Sequence, residues 1–441
     1  MQLLNTLEYN RNIPVVSEYD TVVIGSGPAG ICAAVASARG GARTLLVERL
    51  GAIGGNLTLG EICPILGSVS KGTMADEVKA LLAEGHDAPE HITHNGVEFG
   101  IDATEAKEKL TAFVASAGVT FLPLTAFIDT MKEGDRVTGV ILSAQSGLFA
   151  VVSKVVIDAT GDGAVAAAAG AEYSVGRDDG SVQPCSLEFT LDGIDESIAI
   201  TAWGGSDPVK IPGTDKEYRV LCREKCEEGE LPANVTIVRL HRTLHAGERT
   251  VNATQHNGLD PLDPFSVGRA EVDLRGQIGK CVEFLRKYIP GYENCRLKSS
   301  ASYPGVRESR RITGDDTVCD ADVEEGRKRP DAVVHDAWFL IDIHNPKGGG
   351  QAEGHAHDAK PYDIPYGSLL VRGLEGILTC GRCISGTHRA HASYRVMTVC
   401  MATGEAAGTA AALALKAGIT PRQLGAEPVI SSLVTKGVCL K

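Results

Sequence analysis

The chain has 441 residues, 43% of them hydrophobic, and a formal net charge of −13 at pH 7. An acidic chain with no basic tract is a poor partner for nucleic acid or an anionic membrane surface, since both reward clustered Lys and Arg. No run of about 18 apolar residues is present to span a bilayer.

The length suggests two domains, or one domain interrupted by another. The first residues lack the basic start and apolar core of an export signal. Together with 12 scattered cysteines, this predicts a cytoplasmic protein with reduced thiols. Residues 21–24 form a short apolar run that ends at Gly25, as a buried strand does. From Pro28 to Arg39 the small residues predict a helix stopped by Gly40 and Gly41, and residues 43–48 predict a second strand. Strand, glycine turn, helix and strand in this order make a right-handed βαβ unit. Gly25, Gly27 and Gly30 fall between strand and helix with GxGxxG spacing. Gly25 permits the tight turn, Gly27 lets the backbone approach a pyrophosphate, and Gly30 lets helix and strand pack closely. The helix start offers unpaired N–H groups to phosphates, and Glu48 is placed to accept hydrogen bonds from an adenosine ribose.

Residues 73–82 and 104–117 predict helices, and residues 119–128 and 136–142 predict strands. "VVIDATGDGAVA" then repeats the plan of apolar strand, glycine turn and helix. A second such turn beside the first suits a long ligand lying across the crevice. Around Pro184 the texture changes to polar strands and long loops, and residues 267–289 predict an amphipathic helix ended by Pro290. After about Tyr303 the α/β pattern returns, with Gly381 following a third strand and a long Ala-rich helix predicted at 395–417. The start of that helix can face a ring that gains negative charge. Reduced flavin does so at its pyrimidine edge, and nicotinamide does not. The expected division is a nucleotide domain over 1–185 with a helical segment at 60–118, an inserted substrate domain over 186–302, and the nucleotide domain resumed over 303–441.

"DTVVIGSGPAG", "GAIGGN", "VVIDATGDG", "GVRESRRITG" and the block from "YDIPYGSLL" to "GEAAGTAAALA" together resemble the FAD-dependent oxidoreductase family. The flavin domain of that family is similar to those of the succinate dehydrogenase and fumarate reductase flavoproteins. The resemblance implies an α/β fold: a Rossmann-like FAD-binding domain of glutathione-reductase type, with an inserted mixed α+β domain. It also implies non-covalent FAD in an extended pose, the flavin ring lying where the two domains meet. Carried over by position, Gly25, Gly27, Pro28, Ala29 and Gly30 hold the pyrophosphate, with Glu48 and Arg49 at the ribose. Gly54, Gly55 and Asn56 pass under the ring, and Ala126 meets the adenine. Ala159, Thr160, Gly161 and Asp162 line the adenosine side. Gly381 and Arg382 return to the pyrophosphate and ribityl chain, and the Met397 and Thr398 amides face the flavin pyrimidine. Cys380 stands where a smaller residue is expected.

For the chemistry, His388 and Arg395 fall between the third turn and the last helix, so they are expected at the face of the ring. An Arg there can fork a carboxylate, and a His can exchange a proton near neutral pH. In "GVRESRRI", alternation sends Arg307 and Arg311 to one face and Arg310 to the other. One of the three is expected to bind substrate or flavin while the others pair with acids such as Glu308. "IDIHNPKGGGQAEGHAHDAKPYDIP" suits a lid, with His344 in the pocket and His355 and His357 solvated rather than metal-bound.

The reading is an FAD-dependent oxidoreductase that passes a hydride between the flavin and a small organic substrate. A carboxylate is favoured by analogy with the fumarate reductase relatives. Two alternatives stand beside it: a thiol–disulfide reductase using Cys380 and Cys383, and a non-catalytic flavin-binding redox sensor or subunit. Without a second GxGxxG unit for a nicotinamide cofactor, the other electron partner is an unidentified diffusing molecule. A homodimer would be ordinary.

Overall fold

The apolar second half of Val15–Ile24 forms the centre of a seven-stranded sheet. The computed structural model describes residues 7–87, 90–93, 96–204, 208–350 and 359–439. His355 and His357 of the expected lid lie outside these residues. From one edge the strands run Thr120–Leu122, Thr44–Val47, Val15–Ile24 and Gly147–Asp158, all parallel. Gly147–Asp158 then serves two neighbours along its other edge. Its first half pairs antiparallel with Arg136–Ala144, and its last three residues pair parallel with Ile377–Thr379.

Register decides where a ligand can lie. Leu122 pairs with Val47, Val47 with Ile24, Ile24 with Asp158, and Asp158 with Thr379. Five parallel strands therefore end at one level, and Val15–Ile24, Gly147–Asp158 and Ile377–Thr379 run directly into the turns of Gly25, Gly161 and Gly381. Crevices at the carboxyl ends of parallel strands are where open α/β sheets bind ligands.

Two helices of small residues back this sheet. Pro28–Arg39 packs against Met397–Ala417 so closely that a Cβ on Gly404 would lie 2.0 Å from the Ala29 carbonyl oxygen, and one on Gly408 would lie 2.1 Å from that of Ala33. Backbone cannot yield as a flexible side chain can. Gly404→Ala is therefore expected to destabilise the fold by about 1–3 kcal/mol through overpacking, measured as a lower midpoint of urea unfolding. An unchanged midpoint would contradict so tight a helix crossing. Met397–Ala417 is long and apolar enough to cross a membrane, yet 89% of its most apolar stretch is buried inside the fold. The single helix expected over 395–417 begins later. A short helix, His388–Tyr394, precedes it, and extended Val396 breaks the chain between the two. That break gives the long helix a start of its own beside the strand ends.

Residues from Val182 to Ala301 build a separate core. Its four-stranded antiparallel sheet runs in the order Arg239–Arg242, Arg249–Asn252, Phe189–Asp192, Arg296–Ser300. Strand alternation gives it two unlike faces. Phe189, Val251 and Leu240 lie side by side and share a core with the Pro264–Tyr288 helix. On the opposite face Thr190, Thr250 and His241 form one row. This polar face is covered rather than solvated: Thr190 and Ser299 hydroxyls reach Glu61 at 3.4 and 2.9 Å, and His241 Nδ1 lies 3.3 Å from Glu98.

Candidate active site

The three turns border an open crevice of about 1370 Å³, counting the solvent at its mouth. Each glycine here has its own task. At Gly25 φ is +98°, and a Cβ would lie 2.5 Å from the Ala159 carbonyl oxygen, so the turn admits only glycine. A Cβ on Gly30 would lie 1.8 Å from the Gly25 carbonyl oxygen, which makes Gly30 a packing residue beneath the turn. A Cβ on Gly27 would meet nothing within 4 Å. The space before the Pro28–Arg39 helix is thus empty of protein, and Gly27 caps that helix with no side chain. Uncapped amides facing an open crevice fit a phosphate group.

The rest of the wall follows from the strand ends. Glu48 is buried: its Oε2 accepts the Ser26 N–H at 2.9 Å and hydroxyl at 2.8 Å, and its Oε1 accepts the Leu50 N–H at 2.9 Å. A carboxylate offers about four acceptor sites, so Glu48 is fixed in place with capacity left toward the crevice it borders. Gly27, Pro28, Ala29, Arg49, Gly55, Asn56, Ala126, Ala159, Thr160, Gly161, Asp162, Gly381 and Met397 border it as well. Arg382, also in the wall, donates from Nε to the Gly161 carbonyl at 2.8 Å and from Nη2 to Asp162 at 2.5 Å, tying the third turn to the second.

Three expected contacts fall outside this wall. Gly30 packs under Gly25. Gly54 gives its N–H to the Ser26 carbonyl at 2.9 Å. Thr398 turns both its N–H and its hydroxyl to the Leu66 carbonyl, at 3.5 and 2.8 Å, leaving Met397 as the residue of the helix start that borders the crevice.

Sequence reading missed Asp158, which holds the second turn from beneath, and Tyr303, which borders the crevice. Asp158, fully buried at the end of its strand, accepts the Thr160 hydroxyl at 2.7 Å and the Val165 and Ala166 N–H groups at 2.8 and 3.0 Å. Burial raises its carboxyl even against these bonds. An acid closing the apolar run before "ATGDG" was the available signal. Tyr303, in the crevice wall, donates to Asn56 Oδ1 at 2.9 Å, and burial pushes its phenol up to about 12.

Beside the crevice lies a knot of charged and polar groups. Arg395 borders the crevice and gives Nη2 to the Asp342 carbonyl and carboxylate at 3.0 and 2.8 Å. Asp342 also lies 3.4 Å from His344 Nε2. Burial pulls Asp342 upward, but His344, Arg395 and Arg307 together hold it well below the usual carboxylate range. His344 is buried, and burial together with Arg307 lowers it to about 4, so its imidazole is neutral at pH 7. Arg307 donates Nη1 to the Pro184 carbonyl at 2.7 Å, and burial with the neighbouring Arg395 lowers it to about 10. Among the described residues, no acid lies within ion-pair distance of Arg307.

Gln183 completes the knot. Its Oε1 accepts the His344 N–H at 3.2 Å, while its buried Nε2 has no partner among the described residues. Turning the amide over would set two donors against each other, so the assignment follows from the backbone. Arg395 Nε has no partner either.

His388 sits elsewhere. Its Nδ1 lies 2.7 Å from Glu308, and Arg177 donates Nε to its Nε2 at 3.3 Å. Both ring nitrogens are engaged and the residue is absent from the crevice wall, a position that anchors the loop. Glu308, with no exposed surface, also pairs with Arg311 at 2.5 Å. Arg310 lies over the Tyr173 ring at 5.2 Å and donates to the Asp162 carbonyl at 3.2 Å. Of the three, Arg311 has an acid within ion-pair distance among the described residues, whereas Arg307 and Arg310 each donate to a backbone carbonyl, and only Arg307 neighbours Arg395 and Asp342. Alternation did not indicate this, because the strand spans only Arg310–Ile312.

Cys380 and Cys383 are both fully buried free thiols, and burial raises each well above the usual thiol range. Thiolate is the attacking form in disulfide exchange, so the pair is poorly suited to it. Cys383→Ser is expected to leave turnover unchanged; loss of turnover would restore the disulfide reading.

The model of the family described as FAD dependent oxidoreductase matches residues 20–433. The chain belongs to this family: it is an FAD-dependent oxidoreductase. It is similar to the digeranylgeranylglycerophospholipid reductase of Picrophilus torridus, 30% identical over 161 residues, covering 32% of this chain and 39% of that protein. It is likewise similar to the thiamine thiazole synthase of Aeropyrum pernix, 32% identical over 162 residues, covering 33% of this chain and 56% of that one. The chain thus spans less than two thirds of either relative. In fold it resembles a geranylgeranyl bacteriochlorophyll reductase-like protein from Thermoplasma acidophilum, with a TM-score of 0.52 and 14% identity over 95% of this chain and 87% of that one.

Proposed function

We propose that this enzyme carries out a two-electron exchange between FAD and a small anionic organic substrate, a carboxylate by preference, held beside the crevice where Arg395 borders it. The observation that carries the reading is a surplus of donors. Arg307 has no acid partner among the described residues, and Gln183 Nε2 and Arg395 Nε have no partner. Arg395 is close enough to lower the proton affinity of Arg307, and two guanidinium groups so placed away from water are costly unless an anion joins them. A carboxylate satisfies both, since its oxygens accept the forked donors of arginine.

FAD, held along Gly27–Ala29, Glu48, the Thr160–Asp162 turn, Arg382 and the start of the last helix, supplies hydride chemistry when bound. The chain's own residues do the rest. Asp342 orients Arg395 through two hydrogen bonds. With its Nε2–H directed to ionised Asp342, neutral His344 keeps Nδ1 as an acceptor for a substrate proton. Val306, Pro304, Met397 and Cys400 in the wall keep water from the reacting atoms.

The test is anaerobic. A metabolite panel is added to the holoenzyme with its flavin oxidised, and again with its flavin reduced by dithionite. The reading predicts bleaching or reoxidation by carboxylates and none by their amides. A response confined to uncharged compounds or dithiols would reject it.

A further inference from the structure

The polar face of the inserted sheet holds one group that the proposed function leaves unused. Glu188 lies one step before the Phe189–Asp192 strand, and the ladder continues through it, the Ala301 N–H meeting the Glu188 carbonyl at 2.8 Å. Its side chain falls on the Thr190 side of the sheet, in the row that leads to Asn252 and Arg239. It is 7% exposed. Among the described residues its carboxyl makes no hydrogen bond and no ion pair, unlike Glu61 and Glu98, which share the layer and are bonded to Ser299 and His241. An unpartnered carboxyl buried beside a guanidinium that lacks an acid calls for a third group that satisfies both.

We propose that the Glu188 carboxyl belongs to the substrate site, where as the acid it donates a hydrogen bond to an oxygen of the bound anion. The proposal rests on the anionic-substrate reading and deepens it: the substrate carries a carboxylate for Arg307 and a second acceptor oxygen for Glu188. Ionised, the same carboxyl has no proton to donate and repels the anion.

The surroundings bear on which form is present. Burial pushes Glu188 up to about 8; Arg307 and Arg239 draw it back, and Glu61 and Glu98 drive it higher. Of the other polar groups on this face, Thr190, Thr250 and Asn252 are uncharged, Asp192 and Glu248 are paired with Arg296 and Lys298, and His241 is taken by Glu98; Cys63, whose thiol burial raises well above the usual range, is uncharged as well. At pH 7 the acid form therefore prevails. A bound anion raises the carboxyl further, so by linkage affinity is level below about pH 8 and falls about tenfold per pH unit above it. Neither His344, at about 4, nor Arg307, at about 10, titrates near that midpoint.

The experiment is a titration of the FAD-loaded enzyme with malonate, followed by flavin absorbance, from about pH 6.5 to 9. It is run on the wild type, Glu188→Gln and Arg307→Ala. The proposal predicts wild-type affinity that is level and then falls, and Glu188→Gln affinity that is level throughout. Wild-type affinity level across the range, or a fall retained in Glu188→Gln, would overturn it while leaving the anion site intact. Malonate binding that is absent, or that Arg307→Ala leaves untouched, would remove the anion site and this proposal together. A readout free of ligand is the infrared carbonyl band of a protonated carboxyl at pH 7, present in the wild type and missing in Glu188→Gln. Identical spectra would also overturn it.

Discussion

Gly27→Glu is expected to yield a folded protein that purifies without FAD. The backbone at Gly27 has φ −68° and ψ −178°, a conformation that any residue adopts, and a Cβ added there meets no protein atom within 4 Å. A glutamate would project into the crevice in front of the helix amides. A negative group at a helix start is itself mildly favourable, by about 0.3–1 kcal/mol, so the fold has no reason to fail. The pyrophosphate, however, would meet both bulk and like charge. Wild-type protein gains about 2.7 kcal/mol of stability when FAD is at a hundredfold excess over its Kd, and the variant should gain none. Flavin content and the melting midpoint with and without added FAD measure both effects. Normal flavin content in Gly27→Glu would place the pyrophosphate elsewhere. Gly30→Ala serves as the contrast: its Cβ would lie 1.8 Å from a backbone oxygen, so it should damage the fold before it affects any ligand.

The second large effect belongs to Arg307. Removing one partner of a buried charge pair costs about 2–5 kcal/mol, so Arg307→Ala should lower kcat/KM for the true substrate by a factor between about 30 and several thousand. Flavin content should stay normal, because Arg307 is not among the crevice-bordering residues. Arg307→Lys keeps the charge and loses the fork, and so should fall between the two. The sign of the shift adds a stability test. Folding lowers the proton affinity of Arg307, so at every pH where it is charged in the unfolded chain it opposes folding, and an anion relieves that cost. Arg307→Met should therefore melt higher than the wild type without ligand and gain nothing from one. Wild-type kcat/KM in Arg307→Ala would show that the substrate lies elsewhere.

What the sequence disclosed depended on how local the cause was. Gly25 and Gly27 could be read because the turn, the strand before it and the helix after it are neighbours in the chain. Register then aligned the three turns, as the repeated plan of apolar strand and glycine turn had already suggested. The knot beside the crevice was harder to see because its members come from distant segments. Gln183 and His344 are 161 residues apart, and His388 is held by Glu308 and Arg177, 80 and 211 residues away. Nothing near His388 in sequence revealed those two partners, so it looked free to face the ring. Thr398 misled for a similar reason: the carbonyl that takes its N–H belongs to Leu66. Glu188 stayed hidden because "SLEFTLDG" reads as a strand with one wet face. Only the packing of Glu61, Glu98 and Arg307 against that face makes it interior.

The most direct measurement is a crystal structure of the FAD-loaded enzyme soaked with a carboxylate that bleaches or reoxidises its flavin. The account predicts the pyrophosphate before Gly27, the pyrimidine edge of the ring at the start of the Met397–Ala417 helix, and the carboxylate on Arg307 between the ring and the inserted sheet. A flavin ring bound away from Met397, or a carboxylate that leaves Arg307 untouched, would contradict it.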